Sequence, residues 1–135
     1  RKFNTYVKIW TYSDDEGMSK LLSRKVMDLL DEGVEPNQIS ILTFEPRAKS
    51  SLNKMEKIGL ANLIHLGYSN FSSPDTISWS NIQAFKGLEN EFIFLVELMD
   101  SAMSDTDRAK LFLALTRTLT EAHIICGKKS PILEL

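Results

Sequence analysis

Arg117 ends the run Leu111-Phe112-Leu113-Ala114-Leu115-Thr116, and it is the side chain here best suited to meet an anion. Residues 111–115 are apolar on every side of a helix, so this part of the chain is expected to be buried. Arg117 must leave that environment, and a guanidinium at the end of a buried helix needs a partner anion. Two partners fit. One is an acidic neighbour in a structural ion pair. The other is a transferring phosphoryl group, whose oxygens match the planar, permanently charged fork.

A second segment, Ile82-Gln83-Ala84-Phe85-Lys86-Gly87-Leu88-Glu89, joins two strand-like runs. Gly87 lets the backbone approach a phosphate or ribose, or adopt positive φ. Glu89 can accept hydrogen bonds from ribose hydroxyls. Taken alone, Lys86-Gly87-Leu88-Glu89 also reads as a tight turn with solvated charges.

These residues need elements to position them. Thr5 to Tyr12 is β-branched and aromatic and reads as a strand. Ser13-Asp14-Asp15-Glu16 has the capping-box form, apolar residues follow from Met18 to Leu30 at helical spacing, and Gly33 stops that helix. Further strands are expected at Ile39 to Phe44, Leu60 to Leu66, Thr76 to Ile82, Glu91 to Leu98 and Ala122 to Cys126. Pro46 to Ile58 reads as a helix, and Gly67 to Pro74 as a polar loop. A last helix starts at Ser104, carries acidic first-turn residues and is expected to run to about Leu119. Alternating strands and helices, with strands apolar on both faces, call for a mostly parallel sheet flanked by helices. Ligands on such sheets sit beyond the carboxyl ends of the strands.

A chain of 135 residues with 43% hydrophobic and 25% charged content fits one domain spanning residues 1–135. No apolar run approaches the roughly 20 residues that span a bilayer, so no membrane partner is expected. The net charge of −2 gives no global attraction to nucleic acid, but it allows one wall of a shared groove. A single cysteine, Cys126, makes an internal disulfide impossible, and the cytoplasm is the default compartment. The start at Arg1, without Met, reads as a piece of a larger protein.

The two segments, in order and spacing, resemble motifs V and VI of superfamily 1 DNA helicases of the UvrD/PcrA/Rep type. The first resembles the pattern T-(I/L)-H-x-x-K-G-L-E, with Asn81 for Thr, Gln83 for His, and Lys86 to Glu89 unchanged. The second resembles Y-V-A-L-T-R-A, with Phe112 for Tyr and Thr118 for the final Ala. The resemblance implies a three-layer RecA-like α/β domain of the P-loop NTPase type. It would be the C-terminal of two motor domains, in the compact form without the 2B insertion. It implies that Arg117 is the arginine finger and that Lys86, Gly87 and Glu89 border the nucleotide. Gln83 and Asn81 would contact single-stranded nucleic acid, most naturally DNA. Arg47, with Lys49, is a looser candidate for the strand backbone, and surface charge is the preferred reading.

The implied cofactors are ATP and Mg. They would be held together with an N-terminal RecA-like domain, because neither a GxxxxGK[ST] loop nor the acidic Mg motif occurs here. The chain alone is therefore expected to be inactive. Motif IV, with its own γ-phosphate arginine, would lie just upstream of Arg1. The rival reading is a non-catalytic interaction module with the same fold. Gly127-Lys128-Lys129-Ser130 lacks the phosphate-loop pattern. His123 and Cys126, three apart on a strand, point to opposite faces, so no metal pair is expected. His65 reads as a structural histidine. Asn70-Phe71-Ser72 is a sequon without secretory context.

Overall fold

The computed structural model describes residues 5–66, 73–98 and 103–134. The polar loop at 67–74 and the sequon at Asn70 therefore fall largely or wholly outside the described residues. The strands are β1 (Tyr6–Tyr12), β2 (Ile39–Thr43), β3 (Lys57–Ile58), β4 (Ala61–His65), β5 (Thr76–Asn81), β6 (Asn90–Val96) and β7 (Thr118–Gly127). The helices are α1 (Gly17–Asp31) and α2 (Asp105–Thr116). One sheet holds all seven strands in the order β1-β7-β6-β2-β5-β4-β3. Only the β3–β4 pairing is antiparallel.

The three-layer RecA-like arrangement is overturned. The sheet is mixed and curls into a half-barrel, and strands dominate. Only two α-helices occur among the described residues. α1 packs Leu21, Leu22, Val26 and Leu29 on one face, against Ile39, Ile41, Phe94 and Ile125. α2 lies on the other, where Ala114 meets Ile93, Leu95, Ile124 and Cys126. Short 3-10 turns follow α1, β2, β5 and β7.

The expected helix at Pro46 to Ile58 is absent. Arg47–Lys49 and Ser51–Lys54 are separate 3-10 turns, and β3 follows. Short polar side chains compete with helix here. Ser50 accepts from the Leu52 amide and donates to Glu97, while Ser51 gives both its amide and its hydroxyl to Glu97. The connection from β5 to β6, residues 82–89, crosses the sheet with Ile82 and Phe85 buried on it. It lies on the same face as α2.

Ser13 does not cap α1 as a box. Its hydroxyl takes the Glu16 amide in a preceding turn, and the helix begins at Gly17. At the other end Gly33, at φ 98, turns the chain, and the Val34 amide returns to the Leu29 carbonyl. Ser104, where the last helix was expected to start, forms a capping box with Asp107. α2 stops at Thr116 rather than near Leu119, because β7 already begins at Thr118 to pair with Asn90. No helix among the described residues is long and apolar enough to cross a membrane.

Candidate functional site

The candidate residues divide between two edges of the sheet. β5 ends at Asn81 and β6, parallel to it across β2, begins at Asn90. Residues 82–89 therefore run back along β5, a strand of roughly 20 Å. Asn81 and Gln83 lie at the carboxyl edge, and Glu89 at the amino edge. The expectation that both motifs sit beyond the strands' carboxyl ends is corrected for Glu89 and Arg117.

At the amino edge, the Asn90 amide donates to the Arg117 carbonyl at 3.1 Å. This places the end of one segment beside the end of the other. Arg117 is the C-cap residue of α2, held by its amide on the Leu113 and Ala114 carbonyls. The Thr116 hydroxyl bonds the Leu113 carbonyl, and the buried Thr118 hydroxyl bonds Ala114. The Arg117 side chain is half-buried. Its Nε is shielded from solvent and has no hydrogen-bond partner among the described residues. A guanidinium hydrogen left so is a donor awaiting an acceptor. Its place at a helix C-terminus also suits the dipole.

α2 is less covered than its sequence suggests. Of residues 111–115 only Ala114 is buried, and Phe112 is 59% exposed. One side of the helix rests on the sheet, and among the described residues no layer lies above it.

Gly87 has φ 86, and a Cβ there would meet nothing within 4 Å. The turn demands glycine for its dihedral, not for space. Lys86 and Glu89 are exposed, and neither side chain has a partner among the described residues. Next to Glu89, Asn90 donates its side-chain amide to the Asn37 carbonyl and to Ser40 Oγ, at 3.2 and 2.9 Å. Ser40 in turn bonds Ser78 at 2.7 Å. A cleft of about 220 Å³ opens there, with these polar groups at its base and Phe85, Leu88 and Glu89 on its wall.

At the carboxyl edge the loops after β2 and β5 lie side by side, since Thr43 is in register with Asn81. The Ile82 amide bonds the Thr43 carbonyl at 3.1 Å. Asn81 Oδ1 accepts the Ala84 amide at 2.7 Å, so half of that carboxamide is committed to the turn. Gln83 is exposed. A groove of about 120 Å³ runs between Thr43–Pro46 and Asn81–Gln83, with Lys110 of α2 on its wall. Arg47 follows directly in the same loop.

Two contributors leave no mark in the sequence. Lys110 reaches this groove with its Nζ 3.5 Å from the Phe44 carbonyl. Glu97, just past β6, has φ 62 and takes hydrogen bonds from Thr43, Ser50 and Ser51, fixing the loop that carries Arg47. A glutamate reads as surface charge in sequence, and its left-handed backbone leaves no compositional trace.

The histidines are structural. His65 packs edge-on against Trp79, and burial and then the charge of Arg47 lower its pKa from 6.5. His123 lies between Trp10 and Phe94, in a different cluster from Cys126. Among the described residues no group of three or more His, Cys, Asp or Glu is placed to hold a metal ion. No family model matches the chain, and no curated protein matches it.

Proposed function

We propose that this chain is the C-terminal motor half of an ATP-dependent superfamily 1 DNA helicase or translocase. It works with a second domain that brings the phosphate loop and the Mg ligands. The observation that carries the reading is Arg117: a half-buried guanidinium with a shielded, unpartnered Nε, hydrogen-bonded through its backbone to the residue after Glu89. The exposed Phe112 on the same helix supports a surface meant to be covered.

In this reading the amino edge faces the nucleotide. Arg117 meets the charge that develops on the phosphoryl group, and Glu89 takes the ribose hydroxyls beside Gly87 and Lys86. The orphaned Nε fits a phosphate oxygen. In this reading the Mg ligands come from the partner domain. The carboxyl edge, with Gln83, Asn81 and Arg47, grips single-stranded DNA. ATP favours the closed pair of domains, and that difference in affinity moves one edge relative to the other. Such a motor works in the cytoplasm. The reading rests on motif order and on edge geometry, since the layer architecture departs from the family's.

A second reading, a non-catalytic interaction module, is favoured by that departure and by Asn81, whose Oδ1 is already spent on its own turn. The test joins the chain to its phosphate-loop domain and measures ATP turnover with and without single-stranded DNA. DNA-stimulated turnover that Arg117→Ala removes supports the motor. Turnover indifferent to Arg117, or none in the joined protein, supports the module.

A further inference from the structure

A groove on the α1 face at the amino edge shares no lining residue with the cleft beside Glu89. Its volume is about 470 Å³. Met27 and Leu30 of α1, Val34 and the β3–β4 turn form its apolar walls. That turn carries Leu60, which is 94% exposed. The turn rests on the helix: a Cβ on Gly59 would lie 3.6 Å from Met27 Cε. A leucine held outward at a tight turn, beside a half-exposed methionine, is apolar surface with nothing over it among the described residues.

The rim has one sign. Asp31, Glu35 and Asp75 line it, and no basic residue does. Asp31 lies in the last turn of α1 and Glu32 is its C-cap residue, with no basic residue in that turn. Carboxylates at the negative end of a helix dipole oppose the usual preference, which is for cations. A hydrogen bond from the Ser73 hydroxyl lowers the Asp75 pKa, so this carboxylate is ionised at neutral pH. Lys57 is the nearby cation, and its effect on Asp75 is the smallest of those acting there. Such breaches of local rules concentrate at working surfaces.

We propose that this groove docks a basic segment of a partner protein, an aliphatic anchor seated against Met27, Leu30 and Leu60 with lysine or arginine on the acidic rim. Leu60 stands out from the surface, so its burial calls for a macromolecular face rather than a small molecule inside the groove. A second copy fits poorly, because a two-fold contact through this face sets the same carboxylates against each other. An anionic membrane surface is repelled by the same rim. The proposal is independent of the nucleotide reading and survives if Arg117 proves structural.

The test is a titration of the ¹⁵N-labelled chain with a short synthetic peptide of alternating leucine and arginine, and with its glutamate-for-arginine counterpart. The arginine peptide should shift amides of residues 27–36 and 59–61 and leave the rest in place. Asp31→Asn combined with Asp75→Asn should weaken it roughly threefold to tenfold, as loss of two exposed charge pairs does. Leu60→Ser should weaken it with an otherwise unchanged spectrum, because Leu60 supports none of the core. Equal shifts from the glutamate peptide would overturn the proposal, as would shifts elsewhere or none at millimolar peptide. Concentration-dependent self-association that Leu60→Ser abolishes would overturn it too, by making the occupant a second copy.

Discussion

The backbone amide of Asn90 donates to the backbone carbonyl of Arg117 at 3.1 Å, and the Asn90 side chain ties the same point to Ser40. A line of hydrogen bonds therefore crosses the amino edge from the end of α2, through β6 and β2, to Ser78 of β5. Glu89 and Arg117 are held beside each other by backbone, not by their own side chains.

Arg117→Ala should cost the isolated chain little, on the order of 0.3–1 kcal/mol, the worth of a cation at a helix C-terminus. A structural ion pair would cost roughly 3–5 kcal/mol when broken. Urea midpoints of the two proteins separate these cases. In the protein that joins the chain to a phosphate-loop domain, the same change should lower kcat for ATP by about 10³ or more. Arg117→Lys should rescue poorly, because an ammonium cannot reproduce the fork. A large stability loss with kcat unchanged would make Arg117 structural.

Glu97 yields a sharper stability test. Its carboxylate takes the Thr43 and Ser50 hydroxyls and the Ser51 amide and hydroxyl. Thr43 and Ser50 are buried, so Glu97→Ala strands donors at roughly 1–3 kcal/mol each where water cannot replace the acceptor. The expected net loss is about 2–4 kcal/mol. Glu97→Gly loses the same bonds but relieves the left-handed backbone, φ 62, and should be about 1 kcal/mol more stable than the alanine variant. Equal stability of the two would show that the backbone there carries no strain.

Stability should fall as the medium is acidified below about pH 6.5, and His123 is a main cause. Trp10 donates to its Nδ1 at 3.0 Å, so the ring proton sits on Nε2 and points to Glu121 at 2.8 Å. Burial lowers its pKa below the ordinary 6.5. Glu121 acts against that, and Lys8 and Lys25 add to it. A lowered folded value means that the unfolded chain takes up the proton first. The contribution is therefore full above about 6.5 and is lost as pH falls through the lower folded value. His65 shifts the same way and adds to the slope, and Glu121 adds a further loss below 4.5. Denaturation midpoints between about pH 8 and pH 5 should show a shallower decline in His123→Gln. An unchanged slope would remove His123 from the account.

Strands β2 and β6 were legible because buried parallel strands carry short apolar runs, here Ile41-Leu42 and Phe92 to Val96. The layer architecture was not. Pro46 to Ile58 carries helix-compatible spacing, yet Ser50 and Ser51 are claimed by Glu97, a residue far along the chain. No local window contains that bond. Residues 111–115 show the opposite failure: uniform apolarity suggested burial all round, and Phe112 is left exposed because the helix has only one packed side. The backbone bond between Asn90 and Arg117, and its place at the amino edge, left no trace in the sequence, because both depend on an eight-residue return across the sheet. Lys110 was missed because a lysine on a helix looks solvated until its neighbours are known.

The carboxyl edge should bind single-stranded DNA weakly and in a salt-dependent way. A net charge of −2 gives no long-range pull, so binding rests on the local groove and should appear only at low salt. Lys110 supplies its charge, Arg47 follows next in the loop, and Glu45 on the wall opposes them. Removing a cation that neutralises one phosphate should flatten the plot of log K against log salt by about 0.7 for a single strand. Lys110→Ala and Arg47→Ala should each weaken binding and reduce the slope by roughly that amount. Gln83→Ala should weaken binding with the slope unchanged, because a neutral carboxamide releases no counterion. Glu45→Gln should tighten it. Fluorescence anisotropy of a labelled oligonucleotide across a salt series reads all four. If Lys110→Ala leaves both affinity and slope as they were, the groove is not a strand site, and Gln83 is only the exposed start of a turn.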